Sequence, residues 1–298
     1  MRVGFIGLGA MGAPMARHLL DAGHQLAVYA RRSDAAAPLV RAGAALCASP
    51  RELAARCEVV FTMVTASADV EEVVLGAQGL IHGAAPGLVL VDMSTIAPAT
   101  ARRIAARLAE RGADMLDAPV SGGTQGALDA SLAIMVGGKA HVLARVRPLL
   151  EKLGRRIVHI GDHGAGQVAK ACNQMVMVAA IQAAAEAMLL ARSSGVDAAR
   201  VRAAMAGGSA DSRVLELFGG RMVRRDFAAG VEARLHHKDF AIVMDAAHDL
   251  GVPAIVAAQV WQQLNALVSQ GWGHDDTSRL LCVLEQACGR NETERGFS

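Results

Sequence analysis

Arg2-Val3-Gly4-Phe5-Ile6-Gly7-Leu8-Gly9-Ala10-Met11-Gly12-Ala13-Pro14-Met15-Ala16 is the stretch that decides the fold. Its first five residues read as a short apolar strand. A helical pattern carried by Met15, Ala16, Leu19 and Leu20 follows, and Pro14 falls in the first turn, where a missing N–H costs nothing. Between strand and helix stands G-x-G-x-x-G, and in that position each glycine has a task. Gly7 allows the tight turn, Gly9 lets the backbone approach a pyrophosphate, and Gly12 lets the helix pack close to the strand. With Leu8, Ala10 and Met11 they form a loop that leads phosphates onto the N–H groups at the positive end of a helix.

A second strand, Gln25-Leu26-Ala27-Val28-Tyr29, ends about 20 residues after the glycines, where an NAD site places Asp or Glu against the ribose 2′-hydroxyl. This chain has Ala30-Arg31-Arg32-Ser33 instead. Two guanidinium groups and a hydroxyl suit a 2′-phosphate, so NADP(H) is favoured, with NAD(H) as the alternative. Further strands are expected at 58–64, 88–93, 113–118, 132–136 and 157–160, with helices at 69–75 and 99–111. Strands alternating with helices mean α/β architecture: a Rossmann-type, doubly wound, largely parallel sheet. Ligands sit beyond the carboxyl ends of such strands, which places Met63-Val64-Thr65, Ser94-Thr95 and Ser121-Gly122-Gly123 along one crevice.

After Gly161-Asp162-His163-Gly164 the strands stop. A long helix is expected over 167–192, free of Pro and Gly and stopped by Ser193-Ser194-Gly195, a rod of roughly 40 Å. From Met175 to Ile181 it is apolar on every side, the mark of a helix buried all round. Lys170 and Asn173 share a face near its start. Helices at 198–205, 212–218, 235–250, 254–270 and 277–287 follow, so the period changes near residues 161–166. The expected domains are 1–163, the dinucleotide-binding half, and 164–298, an all-α half connected by the long helix. Residues 290–298 read as a polar, frayed tail.

A chain of 298 residues with a net charge of +2 builds two modest domains and offers neither a nucleic-acid surface nor an acidic tail. The long helix is interrupted by Gln182 and Glu186, and no stretch reads as a membrane span; the start has no signal-peptide pattern. Cys47, Cys57, Cys172, Cys282 and Cys288 show no CxxC pair and read as free, buried thiols in a reducing compartment, the cytoplasm. No metal is expected, since HExxH is absent and His236-His237 cannot point the same way on a helix.

The glycine loop, Asp117-Ala118-Pro119-Val120-Ser121-Gly122-Gly123, Gly164-Ala165-Gly166-Gln167-Val168-Ala169-Lys170-Ala171-Cys172-Asn173-Gln174 and Lys238-Asp239 together resemble the β-hydroxyacid dehydrogenases. That family includes 3-hydroxyisobutyrate dehydrogenase and tartronate semialdehyde (2-hydroxy-3-oxopropionate) reductase. The resemblance covers nearly the whole chain. It implies Lys170 as the catalytic lysine and Asn173 as an orienting residue for substrate. Ser121, Gly122 and Gly123 would hold a substrate carboxylate, and Thr95 would touch nicotinamide ribose and substrate. Lys238 would be a second lysine reaching over the cofactor. It also implies a homodimer or homotetramer built on the long helix. Two departures stand out: Val64-Thr65 where the family usually has Leu-Pro, and the Arg31-Arg32 pair, which agrees with NADP-preferring members.

The implied reaction is reversible reduction of a small semialdehyde acid, with Lys170 as general acid in reduction and general base in oxidation. Partial burial beside Lys238 should lower its pKa. Imine reductases share the architecture but lack the lysine, and a phosphogluconate-type dehydrogenase has a longer helical half. A non-catalytic dinucleotide-binding module would have no use for Lys170, Asn173 and the Ser121 turn together. Tartronate, methylmalonate and succinic semialdehydes differ by groups worth only roughly 1–3 kcal/mol in a pocket, and the substrate among them stays open.

Overall fold

Val3, Phe5, Val59, Phe61, Val89 and Val91 pack on one side of a sheet, and Ile6, Val60 and Leu90 on the other. Strands buried on both faces read as continuous apolar runs and pair in parallel beneath helices. This is the arrangement in the computed structural model, which describes residues 1–289 and divides into two units, Met1–Lys170 and Ala171–Ser298. The tail expected over 290–298 lies outside the described residues.

In the first unit the strands are β1 (Arg2–Ile6), β2 (Gln25–Tyr29), β3 (Ala45–Leu46), β4 (Val59–Thr62), β5 (Val89–Asp92), β6 (Asp114–Asp117), β7 (Val120–Ser121), β8 (Leu132–Gly137) and β9 (Gly154–Gly161). Between them run α1 (Gly12–Asp21), α2 (Ala37–Arg41), α3 (Pro50–Arg56), α4 (Ser67–Leu75), α5 (Pro98–Ala109), α6 (Gly123–Leu128) and α7 (Ala140–Leu150). The order begins β3-β2-β1-β4-β5-β6, all parallel, with β2 and β4 on opposite sides of β1. The winding therefore reverses at β1, and the loops after β1 and β4 open beside each other.

At β6 the pattern changes. Asp117 pairs antiparallel with Gly137 of β8, Met135 N donates to Pro119 O, and Val120 and Ser121 pair with Ile134 and Ala133. Strand β7 thus continues β6 in the same direction along the same neighbour, broken where Pro119 has no N–H to give. Strand β9 then pairs in parallel with the far side of β8. Sequence periodicity did not show β3 or β7; at two residues each neither carries a pattern.

Helix α8 (Ala165–Ser193) begins in the first unit and continues into the second. The second unit adds α9 (Ala198–Met205), α10 (Gly220–Arg224), α11 (Ala233–Asp249), α12 (Ile255–Ser269) and α13 (Leu280–Ala287) around Phe240, Leu264, Leu267, Leu280 and Leu281. A five-residue π-helical stretch at Leu215–Gly219 interrupts what the sequence predicts as an ordinary helix over 212–218.

Two expectations for α8 are corrected. It is not buried all round: Val176 is 73 % exposed and Leu190 69 %, leaving an apolar stripe. By length and composition it is also long and apolar enough to cross a membrane, with a mean hydropathy of 1.6 over its most apolar window. Its buried face nevertheless carries Gln174 and Gln182, hydrogen-bonded to Asp239 and Glu186. The cysteines are free but not all buried. Cys172 and Cys288 are exposed, whereas partial burial lifts the Cys57 thiol to about 12.

Candidate functional site

One register row crosses the sheet near its carboxyl edge. Tyr29 pairs with Ile6, Ile6 with Thr62, Thr62 with Asp92, Asp92 with Asp117, Asp117 with Gly137, and Gly137 with Gly161. Just beyond that row come Ala30-Arg31-Arg32-Ser33, Gly7 through Gly12, Met63-Val64-Thr65, Ser94-Thr95 and, at the end of β7, Ser121-Gly122-Gly123. The sheet therefore brings all five expected segments of the first unit to one edge.

The glycine loop has room where a dinucleotide would need it. Gly7 has φ +95°, and a Cβ there would lie 2.2 Å from Met63 O, so the loops after β1 and β4 touch. A Cβ on Gly12 would fall 1.9 Å from Gly7 O, whereas one on Gly9 would meet nothing within 4 Å. Helix α1 starts without a side-chain cap; Ala13 N donates to Gly9 O at 3.0 Å, so the positive end of the helix abuts the glycine loop. These residues fit a pyrophosphate at Gly9. Arg31, Arg32 and Ser33 are exposed, and Arg31 Nη1 lies 3.6 Å from Asp69 Oδ1. Asp69 also accepts from Ala66 N at 3.1 Å, so Arg31 is held near the start of α4.

Below the loops lies a buried polar layer that the sequence reading did not single out. Thr62 Oγ1 donates to Asp92 Oδ1 at 2.7 Å, and Ser94 N donates to the same oxygen at 3.2 Å. Val64 N donates to Ser94 Oγ at 3.0 Å, tying the two loops together. Asp92 is fully buried, and its Oδ2 has no hydrogen-bond partner among the described residues. Burial pushes its carboxyl up to about 6, against the bonds from Thr62 and Ser94 and helped by the charge of Asp117. Asp117 is raised too, by burial, although the N–H groups of Gly164 and Gln167 oppose the shift. The sequence signal was an acid closing an otherwise apolar strand, at Val91-Asp92 and again at Leu116-Asp117.

Asp117 is the cap of α8. Its Oδ1 accepts from Gly164 N at 2.7 Å and its Oδ2 from Gln167 N at 3.1 Å. Gln167 in turn holds the loop after β5: its Oε1 accepts from Ile96 N at 3.1 Å, and its Nε2 donates to Ser94 O at 2.8 Å. One turn on is Lys170, only 7 % exposed. Thr95, between the two residues that Gln167 grips, is half-buried. The Ser121 turn uses two glycines at positive φ, Gly122 at +138° and Gly123 at +64°, the second being the first residue of α6.

In the helical unit, Asn173 donates from Nδ2 to Gln174 Oε1 at 2.9 Å. Gln174 Nε2 donates to Asp239 Oδ2 at 2.6 Å, and Lys238 Nζ lies 2.9 Å from Asp239 Oδ1. His236 is buried against Thr277 Oγ1 at 2.7 Å. His237 bonds Asn265 at 2.8 Å and stacks on Trp261. The two histidines face different partners, and among the described residues no His, Cys, Asp and Glu cluster could hold a metal ion.

Residues 2–161 match the family described as the NAD binding domain of 6-phosphogluconate dehydrogenase. Residues 164–284 match the one described as NAD-binding of NADP-dependent 3-hydroxyisobutyrate dehydrogenase. The chain is 41 % identical over 285 residues to 2-hydroxy-3-oxopropionate reductase of Escherichia coli, covering 96 % of this chain and 97 % of that one. It is 40 % identical over 296 residues to an NAD-dependent L-serine dehydrogenase of Pseudomonas aeruginosa, covering 97 % and 99 %. Among solved structures it is similar to 3-hydroxyisobutyrate dehydrogenase of Mycobacterium tuberculosis with L-serine, at a TM-score of 0.87 and 33 % identity over 95 % of this chain and 98 % of that one.

Proposed function

Because the chain belongs to the 3-hydroxyisobutyrate dehydrogenase family of NAD(P)-dependent oxidoreductases, we propose that it interconverts a small β-hydroxy acid and its semialdehyde, of the 2-hydroxy-3-oxopropionate or 3-hydroxyisobutyrate type. The observation that carries this is Lys170: a lysine 7 % exposed, one helical turn beyond a residue hydrogen-bonded to the Thr95 loop. When bound, the nicotinamide supplies or accepts the hydride. Lys170 donates a proton to the substrate oxygen in reduction and takes it back in oxidation, a role worth roughly 10²–10⁴-fold in rate.

The other roles are those that the family resemblance implies. The Gly7–Gly12 loop holds the pyrophosphate, with the Met63-Val64-Thr65 backbone beside it. Ala30, Arg31, Arg32 and Ser33 surround the adenosine ribose, and the two guanidinium groups make NADP(H) the favoured cofactor, with NAD(H) the alternative. Ser121, Gly122, Gly123 and Asn173 are the substrate-binding residues, Thr95 serves substrate and cofactor, and Lys238 is a further substrate and cofactor residue. The functional domains are taken as 1–163 and 164–298, the compact units themselves dividing after Lys170. The enzyme is soluble and cytoplasmic, and works as a homodimer or homotetramer without nucleic acid or membrane partners.

L-serine is the second reading, since one relative is named an L-serine dehydrogenase and one similar structure includes L-serine. The test is oxidation of NADPH and NADH against tartronate, methylmalonate and succinic semialdehydes, with L-serine and 3-hydroxyisobutyrate in the reverse direction, for the wild type and Lys170→Ala. A preferred semialdehyde and a variant that binds NADPH yet loses at least a hundredfold in turnover support the reading. Wild-type turnover in Lys170→Ala removes it.

A further inference from the structure

Proton and hydride must reach the same substrate, yet Lys170 and Thr95 stand on different elements, a helix and the loop after β5. Gln167 joins them. Its amide accepts from Ile96 N at 3.1 Å and donates to Ser94 O at 2.8 Å, so it grips the loop on both sides of Thr95. Its own N–H goes to Asp117 Oδ2 at 3.1 Å, and the side chain is 1 % exposed. Lys170 is three residues on, roughly 5–6 Å away between Cβ atoms on the same helix face.

The start of α8 is also bedded tightly on the sheet. A Cβ on Gly166 would lie 2.5 Å from both Asp117 O and Met135 O, and one on Gly137 would lie 2.7 Å from Gly166 N. Those contacts and the Asp117 cap fix the helix to the strands. They do not fix the loop, whose backbone N–H and C=O are met by Gln167. A side-chain amide offers a donor and an acceptor on two separate atoms of one planar group, as a backbone C=O and a backbone N–H require. Glutamate would present a second acceptor to the Ser94 carbonyl, and an apolar residue would leave both backbone groups buried without this partner.

We propose that Gln167 is a positioning residue for the reaction: it locks the Thr95 loop to the turn of α8 that carries Lys170, setting where the proton is delivered relative to the bound cofactor and substrate. This rests on the reading of Lys170 as the acid–base group. Proton transfer requires heavy atoms roughly 2.6–3.2 Å apart, and a misplacement of about 1 Å costs on the order of 10²-fold.

The experiment uses the full chain with Gln167→Met and Gln167→Glu. Four quantities are measured: amide exchange of the 94–97 segment without added cofactor, melting temperature, NADPH affinity by fluorescence, and kcat with its primary isotope effect from deuterated NADPH. In Gln167→Met the Ile96 amide exchanges faster and kcat falls about 10- to 100-fold. The isotope effect rises because chemistry becomes rate-limiting, and NADPH affinity stays within about threefold. Gln167→Glu keeps the acceptor for Ile96 N–H, loses the donor to Ser94 O, and lies between; it carries the test alone if the Met variant does not fold. Wild-type kcat and isotope effect in the folded variant overturn the proposal. So does a kcat loss matched by equal losses of melting temperature and NADPH affinity with no change in isotope effect. If Lys170→Ala retains activity, the underlying reading fails; if Lys170→Ala is inactive and Gln167→Met is unimpaired, only the positioning role fails.

Discussion

Asp92 and Asp117 stand in register on adjacent parallel strands, both carboxyls buried at the carboxyl edge of the sheet. Through Ser94 and Gln167 they support the loops after β4 and β5 and the start of α8. Burial is the main force raising the Asp92 carboxyl, and the charge of Asp117 adds a smaller push in the same direction.

This pair gives the fold a pH dependence of definite sign. Burial raises Asp92 from 3.8 to about 6, and Asp117 moves the same way. Between roughly pH 4 and 6 these two carboxyls therefore hold more protons in the folded chain than in the unfolded one, and their contribution to stability falls as pH rises through that window. The Asp92 part is at most on the order of 3 kcal/mol. Asp92→Asn keeps an acceptor for Thr62 and Ser94 but cannot ionise. The melting temperature of the wild type minus that of the variant should grow as pH is lowered from about 8 to 5; parallel curves across that range would discard the assignment.

Gly9 and Gly12 are two glycines of one motif with different burdens. Gly9→Ala finds open space, while Gly12→Ala drives its methyl into Gly7 O. Gly9→Ala should melt within a few degrees of the wild type and lose NADPH affinity about tenfold or more, because the methyl occupies the path of the pyrophosphate. Gly12→Ala should lose stability as well, by roughly 1–3 kcal/mol. Calorimetry with a fluorescence titration separates the two, and equal melting temperatures would contradict the packing role of Gly12.

Glu285 is 8 % exposed and is shared by Arg192 at 3.2 Å and Arg225 at 2.7 and 3.0 Å. Removing an acceptor common to two guanidinium groups costs close to the roughly 3–5 kcal/mol seen for a broken buried pair, reduced here by the part-exposure of both arginines. Glu285→Ala should be destabilised by about 2–3 kcal/mol in urea, and Glu285→Gln by less. A loss below about 0.5 kcal/mol would show that the pair is solvent-screened.

The sheet was legible where a strand is an apolar run ended by glycine or charge: β1, β2, β4 and β5 match to within two residues, and Ala198–Met205 matches without error. What stayed hidden depends on pairing rather than pattern. Strand β7 exists because β8 returns antiparallel beside Pro119. The roles of Asp92 and Gln167 appear only once strands 25 residues apart in sequence lie side by side in register at Asp92 and Asp117. The exposed stripe of α8 through Val176 and Leu190 was misread because an all-apolar segment does not say which of its faces the rest of the chain will cover.

The proposed preference for NADP(H) rests on Arg31 and Arg32. Arg31 is exposed, so Arg31→Asp should leave stability within about 0.5 kcal/mol. Its Nη1 lies 3.6 Å from Asp69 Oδ1 in a solvent-exposed ion pair, so the guanidinium is available to a bound phosphate. An aspartate at position 31 would repel a 2′-phosphate and accept from a 2′-hydroxyl, and a charge-assisted bond lost and a repulsion gained amount to about 2–4 kcal/mol. The ratio of kcat/KM for NADPH over NADH should therefore fall by about two orders of magnitude. Ionic strength gives an independent readout: in the wild type the KM for NADPH should rise with salt more steeply than that for NADH, because only the former depends on the exposed guanidinium groups. An unchanged ratio in Arg31→Asp, with equal salt slopes for the two cofactors, would mean that Arg31 and Arg32 take no part in binding and that the preference for NADP(H) is misplaced.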